Sequence, residues 1–272
     1  SGFASIALGM DSLATGSGAV AMGLRAEATA QDAIAIGNNS EAENIGSTVI
    51  GADAYSEGDF GTALGFDAAV EDDYAVAIGY SAFASGMSSV AIGEESMATG
   101  EGAIAIGGDG DDGGEADDDG ARASAYGAVA IGVDSQASAT SAIALGQEAE
   151  ATDVDSVAVG NGAFASSQGA VAIGTDANGD GQYAVALGYG ADAVYDRAVA
   201  LGYNAETGGE SAIAIGALAE AGGGSSIALG AGSEASADFS LALGSLSVAS
   251  GSLSTAFGYS AVATKTDAVA LG

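Results

Sequence analysis

Ser89-Val90-Ala91-Ile92-Gly93-Glu94-Glu95-Ser96-Met97-Ala98-Thr99-Gly100 decides the fold, because its Val-Ala-Ile-Gly core recurs along the whole chain. The pattern is an aliphatic residue, Ala, a second aliphatic residue and Gly. Its Gly stands at 9, 23, 37, 51, 65, 79, 93, 107, 132, 146, 160, 174, 188, 202, 216, 230, 244, 258 and 272. Seventeen of the 18 intervals are 14 residues; Gly107 to Gly132 is 25, one period plus 11 inserted residues. A repeat this regular means that each unit is one small structural turn, stable only when stacked on its neighbours.

Two residues before the Gly stands Ala in 18 of 19 copies, with Val49 the exception. The residue just before the Gly is always Leu, Ile, Met, Val or Phe. Val76-Ala77-Ile78 therefore alternates with period two, the periodicity of a β-strand, and its β-branched residues suit one. A helix is excluded by the spacing and by a Gly in every period, at about 1 kcal/mol each. After the Gly, small residues recur at the third and fifth positions, as in Ala26 and Ala28 or Ala149 and Ala151. They predict a second short strand. The expected packing sets the large pair, Val76 and Ile78, against this small strand, leaving the Ala77 column on an outer wall open to a second chain. The fold class expected is all-β, a parallel solenoid of 14-residue coils, as a single repeat domain over 1–272. Nineteen coils with an acidic insertion at about 108–121 would span roughly 90 Å.

Composition narrows the function. Four basic residues against 37 acidic ones give a net charge of −33, which excludes a basic nucleic-acid interface and disfavours anionic membranes. There is no His and no Cys, so the usual general base and thiolate nucleophile are absent. No apolar run reaches the roughly 20 residues of a membrane helix. The expected protein is not an enzyme. Acidic residues cluster five or six positions before the Gly, as Asp32, Asp59, Asp73, Glu101, Asp155, Asp196, Glu210, Asp238 and Asp267. Such stacked like charges repel, and a halophilic source with strong screening is one expectation from them; solvated acidic turns are the other.

The repeats, nineteen in register, resemble the head repeats of YadA-like trimeric autotransporter adhesins. The resemblance implies a left-handed parallel β-roll, three identical chains about one axis, and a head held at a bacterial cell surface to bind matrix or other cells. Heads of this kind bind collagen through an Asn-Ser-Val-Ala-Ile-Gly-x-x-Ser repeat; the nearest segment here, Ser88 to Ser96, has Ser88 in place of that Asn. The implied function is a rigid extracellular adhesin head. Its implied partners are further copies of itself, as a homotrimer, and a surface receptor, matrix protein or glycan, with no membrane contact by this segment. The alternative is a structural fibre, such as a viral tail-fibre shaft on a virion surface or an extracellular filament.

Two segments carry hard oxygen donors. The insertion holds Asp109, Asp111, Asp112, Glu115, Asp117, Asp118 and Asp119, and begins on a Gly-Gly-x-Gly-x-Asp pattern suited to Ca²⁺. Asp176, Asn178 and Asp180 match the opening of an Asp-x-Asn-x-Asp-Gly calcium loop, but Leu187 stands where its bidentate acid belongs. Calcium is an expected ligand at these places, and no cofactor is required. In-register aromatics, Phe66 with Tyr80 and Tyr189 with Tyr203, are expected to stack between adjacent coils, and an exposed Tyr ladder is a candidate carbohydrate surface.

Overall fold

A computed structural model describes residues 2–110 and 120–272. Two compact units divide the chain between Ser141 and Ala142. Each is a parallel β-solenoid, and no helix occurs among the described residues. Each coil has a three-residue strand on the Val-Ala-Ile motif and a two-residue strand after the repeat Gly, such as Val76–Ile78 and Phe83–Ala84. Strands pair in parallel with their equivalents one coil on, so Val76, Ala77 and Ile78 face Val90, Ala91 and Ile92. The second unit repeats this, with Val185 to Leu187 facing Val199 to Leu201.

The chain bends at two places per coil. The glycine turn follows the first strand: the repeat Gly has φ between 124° and 157°, and the residue two further on is left-handed. The return turn precedes the next first strand and places a second left-handed residue five positions before the Gly. Asp, Asn, Ser and Gly suit these positions, yet Phe60, Tyr74, Tyr183, Arg197, Phe239 and Leu253 also occupy them, with φ near 58°. Their N–H groups bond to the adjacent coil, as Tyr183 N–H does to Gln168 O at 2.9 Å, and this pairing holds the conformation.

The interior is the reverse of the expected one. Ala77, Ala91, Ala186 and Ala200 are fully buried, while the large residues flanking each of them are only partly covered and face outward. Four columns meet inside each coil: the residues four and two before the Gly, and three and five after it. All four are Ala, Ser or Gly with few exceptions. Two back-to-back strands this short leave space for methyl groups only, so the branched side chains have to point away. Each buried methyl adds about 0.8 kcal/mol, a thin core by the standard of a globule. The Ala column is thus closed to a second chain, and the outward aliphatic columns are the surface left open.

Volume is matched within this core. Gly61 replaces the usual Ala, and a Cβ there would lie 2.8 Å from Cγ1 of Val70, which replaces another Ala. Buried Ser residues satisfy their hydroxyls locally: Ser240 Oγ donates to Ala237 O at 2.6 Å and Ser47 Oγ to Asn44 O at 2.7 Å. Ser226 occupies the same column, but its buried Oγ has no partner. Ser226→Ala is therefore expected to raise stability by up to about 1 kcal/mol, and Ser240→Ala to lower it by about as much, read by chemical denaturation.

The insertion leaves the ladder intact. Met97 pairs with Arg122, and Ile106 with Ile131, across the extra residues. Its stems are tied down by Gly110 N–H to Asp134 Oδ1 (3.2 Å) and Gly120 N–H to Glu95 O (3.3 Å).

Candidate surface sites

The first outward surface is aliphatic. In the second unit it carries Val157, Val171, Val185, Val199, Ile213 and Ile227 in one column, with Val159, Ile173, Leu187, Leu201, Ile215 and Leu229 beside them. Leu229 is 44 % exposed, although it is a core-type side chain.

The outward residues of the second strand form the other surface, which is mixed, with Phe83, Met97, Phe164, Val248 and Val262 on it and one continuous acidic stretch. Asp192, Glu206, Glu220 and Glu234 occupy four successive rungs in strict register. Neighbouring rungs are about 4.8 Å apart. The Glu220 carboxyl is pushed above its ordinary range, first by loss of part of its water shell between the rungs and then by Glu234 and Glu206. Asp192 is raised by burial, against the hydrogen bond it accepts from Asn178, with Asp180 adding repulsion. In the first unit burial raises Glu41, helped by Glu43, Glu27 and Glu57, and burial with Glu71, Glu57 and Asp67 raises Tyr55.

A carboxyl whose folded pKa exceeds its unfolded value binds protons more readily in the folded state. Stability from this source rises as pH falls through the folded value, and the gain is complete below the unfolded one, 4.5 for Glu. The melting temperature is expected to be higher at pH 5 than at pH 7. Replacing Glu206, Glu220 and Glu234 together by Gln is expected to raise it at pH 7 and flatten the pH dependence. A melting temperature that falls steadily on acidification from pH 7 would contradict this.

The return-turn acids have a structural task that spacing alone did not reveal. Asp73 Oδ1 accepts the Asp59 N–H at 2.8 Å, Asp59 Oδ1 that of Ile45 at 3.1 Å, and Asp196 Oδ1 that of Gln182 at 3.1 Å. Each carboxylate thus satisfies a turn N–H one coil earlier. Rings stack in the turns as well: Phe66 on Tyr80 and Tyr189 on Tyr203, both with centroids 5.5 Å apart. Phe60 on Tyr74, at the same distance, is a third pair that the sequence reading missed.

The candidate calcium ligands fall into two groups. Asp111, Asp112, Glu115, Asp117, Asp118 and Asp119 lie outside the described residues; Asp109 lies at the stem of the insertion. Asp176 sits in a glycine turn with φ 54°. Asn178 Nδ2 donates to Asp192 Oδ1 at 3.0 Å, and the Asp180 carboxylate accepts from Ser166 Oγ. Asn178 and Asp180 are thus engaged with neighbouring coils. Among the described residues no group of three or more acidic side chains gathers as a metal-holding set.

A coil too thin to fold alone, repeated in register with an outward aliphatic face, defines a repeat module of the β-solenoid class. The YadA head domain repeat model matches in twelve windows from 1–26 to 249–272, with 110–122, most of it in the insertion, as its longest gap. The chain belongs to the YadA head repeat family, whose members are surface-exposed parts of adhesins. A comparison with curated proteins finds no match. No helix among the described residues is long and apolar enough to cross a membrane.

Proposed function

We propose that the chain is the head of a cell-surface adhesin, a stiff non-catalytic module that assembles as a homotrimer and attaches to cells, matrix or other surfaces. The observation that carries this reading is the pair of outward aliphatic columns in each unit, interrupted by Thr only at Thr48, Thr62 and Thr255. Apolar surface of that extent marks an interaction site on a soluble protein. A long uniform column also suits a second copy in the same register, and family membership supplies the expectation of three. The acidic stretch of the second-strand surface then faces outward, where water screens its repulsion.

Sedimentation equilibrium is expected to give three times the chain mass of 25.6 kDa. Replacing Leu187, Leu201 and Ile215 by Lys is expected to yield monomer that keeps its β-sheet circular dichroism, since these side chains lie outside the coil. Beads carrying the trimer are expected to attach to cells or matrix, and bare beads are not. A monomeric wild-type chain would remove the assembly; beads that attach to no surface would remove the adhesin.

A further inference from the structure

We propose that a trough on the return turns of the second unit, between Arg197 and Phe239, binds a neutral sugar unit of a surface glycan. This inference rests on the adhesin reading and names its ligand.

Four successive return turns present Asp196 and Arg197, Glu210 and Ser211, Gly224 and Ser225, then Asp238 and Phe239. Left-handed residues in these turns lean over the preceding coil: a Cβ on Gly46 would lie 2.7 Å from the Phe60 ring, and one on Gly169 would lie 2.7 Å from Tyr183. The two middle turns carry Glu210, paired with Arg197, and beside it only Gly224 and the hydroxymethyl groups of Ser211 and Ser225. They leave a cavity of about 410 Å³, lined by Arg197, Glu210, Ser211, Ser225, Asp238 and Phe239. Small-molecule sites run from roughly 300 to 1,000 Å³.

The lining supplies what a hexose requires. A sugar offers vicinal hydroxyls that both donate and accept, and an apolar C–H face. Arg197 is fixed by its pairing with Glu210 and by Nε donating to Ser211 Oγ at 3.3 Å, and its five-donor guanidinium keeps N–H groups to spare. Asp238 accepts the Gly224 N–H through Oδ1 at 2.9 Å, leaving its second oxygen as an acceptor. Among the described residues the Ser225 hydroxyl has no partner within the chain. Phe239, 62 % exposed, gives the flat apolar wall. Two carboxylates against one guanidinium, on a chain of net charge −33, repel uronates and sialic acids and select neutral sugars.

Folding accounts for Asp238, whose carboxylate satisfies a turn N–H, but not for Arg197, Glu210 or Phe239. The Arg197 and Glu210 side chains are 60 % and 62 % exposed, so their pairing adds little stability. Phe60 and Tyr74 in the equivalent turns stack on each other, whereas Phe239 stacks on no ring among the described residues.

The test uses the full chain with methyl glycosides of glucose, galactose, mannose and N-acetylglucosamine, and glucuronate as the anionic comparison. Saturation-transfer NMR followed by titration is expected to show at least one neutral glycoside bound with Kd on the order of millimolar. Phe239→Ser and Arg197→Gln are each expected to weaken it at least tenfold at unchanged melting temperature. Phe60→Ser, in the first unit, is expected to leave it unchanged. Glucuronate is expected to bind at least tenfold more weakly than the best neutral glycoside. No transfer to any neutral glycoside, or transfer that survives Phe239→Ser, overturns the proposal. Bead attachment separates this from the adhesin reading. Beads that attach equally well with wild type and Phe239→Ser refute the trough as receptor site and leave the adhesin standing. Beads that attach to nothing, while Phe239→Ser still abolishes glycoside binding, refute the adhesin and leave the trough.

Discussion

Gly79→Ala is expected to destabilise the first unit by about 3 kcal/mol or more, a cost in the range reserved for backbone strain and steric overlap. The residue has φ +142°, and a Cβ there would lie 2.2 Å from the carbonyl oxygen of Gly93 and 2.6 Å from its carbon. The next coil cannot yield easily, because Gly93 is itself held by its N–H on Ile78 O at 2.8 Å. Repulsion from one added methyl therefore spreads up the stack. Gly127→Ala provides the contrast: it is left-handed at φ +62°, but nothing lies within 4 Å of its Cβ position. It is expected to cost only about 1 kcal/mol, the ordinary left-handed penalty. Denaturant midpoints of the two variants, with hydrogen exchange of the flanking rungs, give the comparison. Equal effects would mean that the glycine column serves conformation alone and not close approach of coils.

The second large effect is a coupling inside the Ala core. Gly61→Ala is expected to cost about 1 to 3 kcal/mol through overpacking against Val70 and Ser56. Val70→Ala alone is expected to cost about 2 kcal/mol through the void it leaves. The double variant puts Ala, the commonest residue at each of the two positions, in both and is expected to lie near wild type. A coupling of this kind has a sign that distant sites cannot produce. Additive losses in the double variant would show that the two residues do not share one space.

The sequence displays the period and register openly. The Gly column, the Ala column and the 25-residue interval each appear in the structure where the spacing puts them, and Met97 pairs with Arg122 across the extra residues. The facing of the strands was less legible. A three-residue strand such as Val76–Ile78 shows that its faces differ, but not which face is inside. Size suggests the large one. The contrary signal was also present: Ala75, Ala77, Ala82 and Ala84 occupy four columns that are small in nearly every coil, and four small columns together enclose a space that no isoleucine enters. The acidic turns were located correctly, but the backbone N–H that Asp73 accepts from Asp59 depends on rung-to-rung geometry. The trough is illegible in the sequence for the same reason, since Arg197 and Phe239 lie 42 positions apart and line one trough only because the coils between them stack in register.

Disulfide cross-linking tests the coil register most directly, because the chain has no cysteine of its own. Leu187 and Leu201 are paired across adjacent rungs. At about 4.8 Å their backbones fall within the Cα range of about 4.4 to 6.8 Å that a disulfide bridges. Leu187→Cys with Leu201→Cys is expected to oxidise to a single intrachain bridge, seen as faster migration on a denaturing gel. Leu187→Cys with Val199→Cys, displaced by two residues to a diagonal of roughly 7 to 8 Å, is expected to stay reduced. Efficient bridging of the second pair, or none of the first, would contradict a stack that advances one coil every fourteen residues.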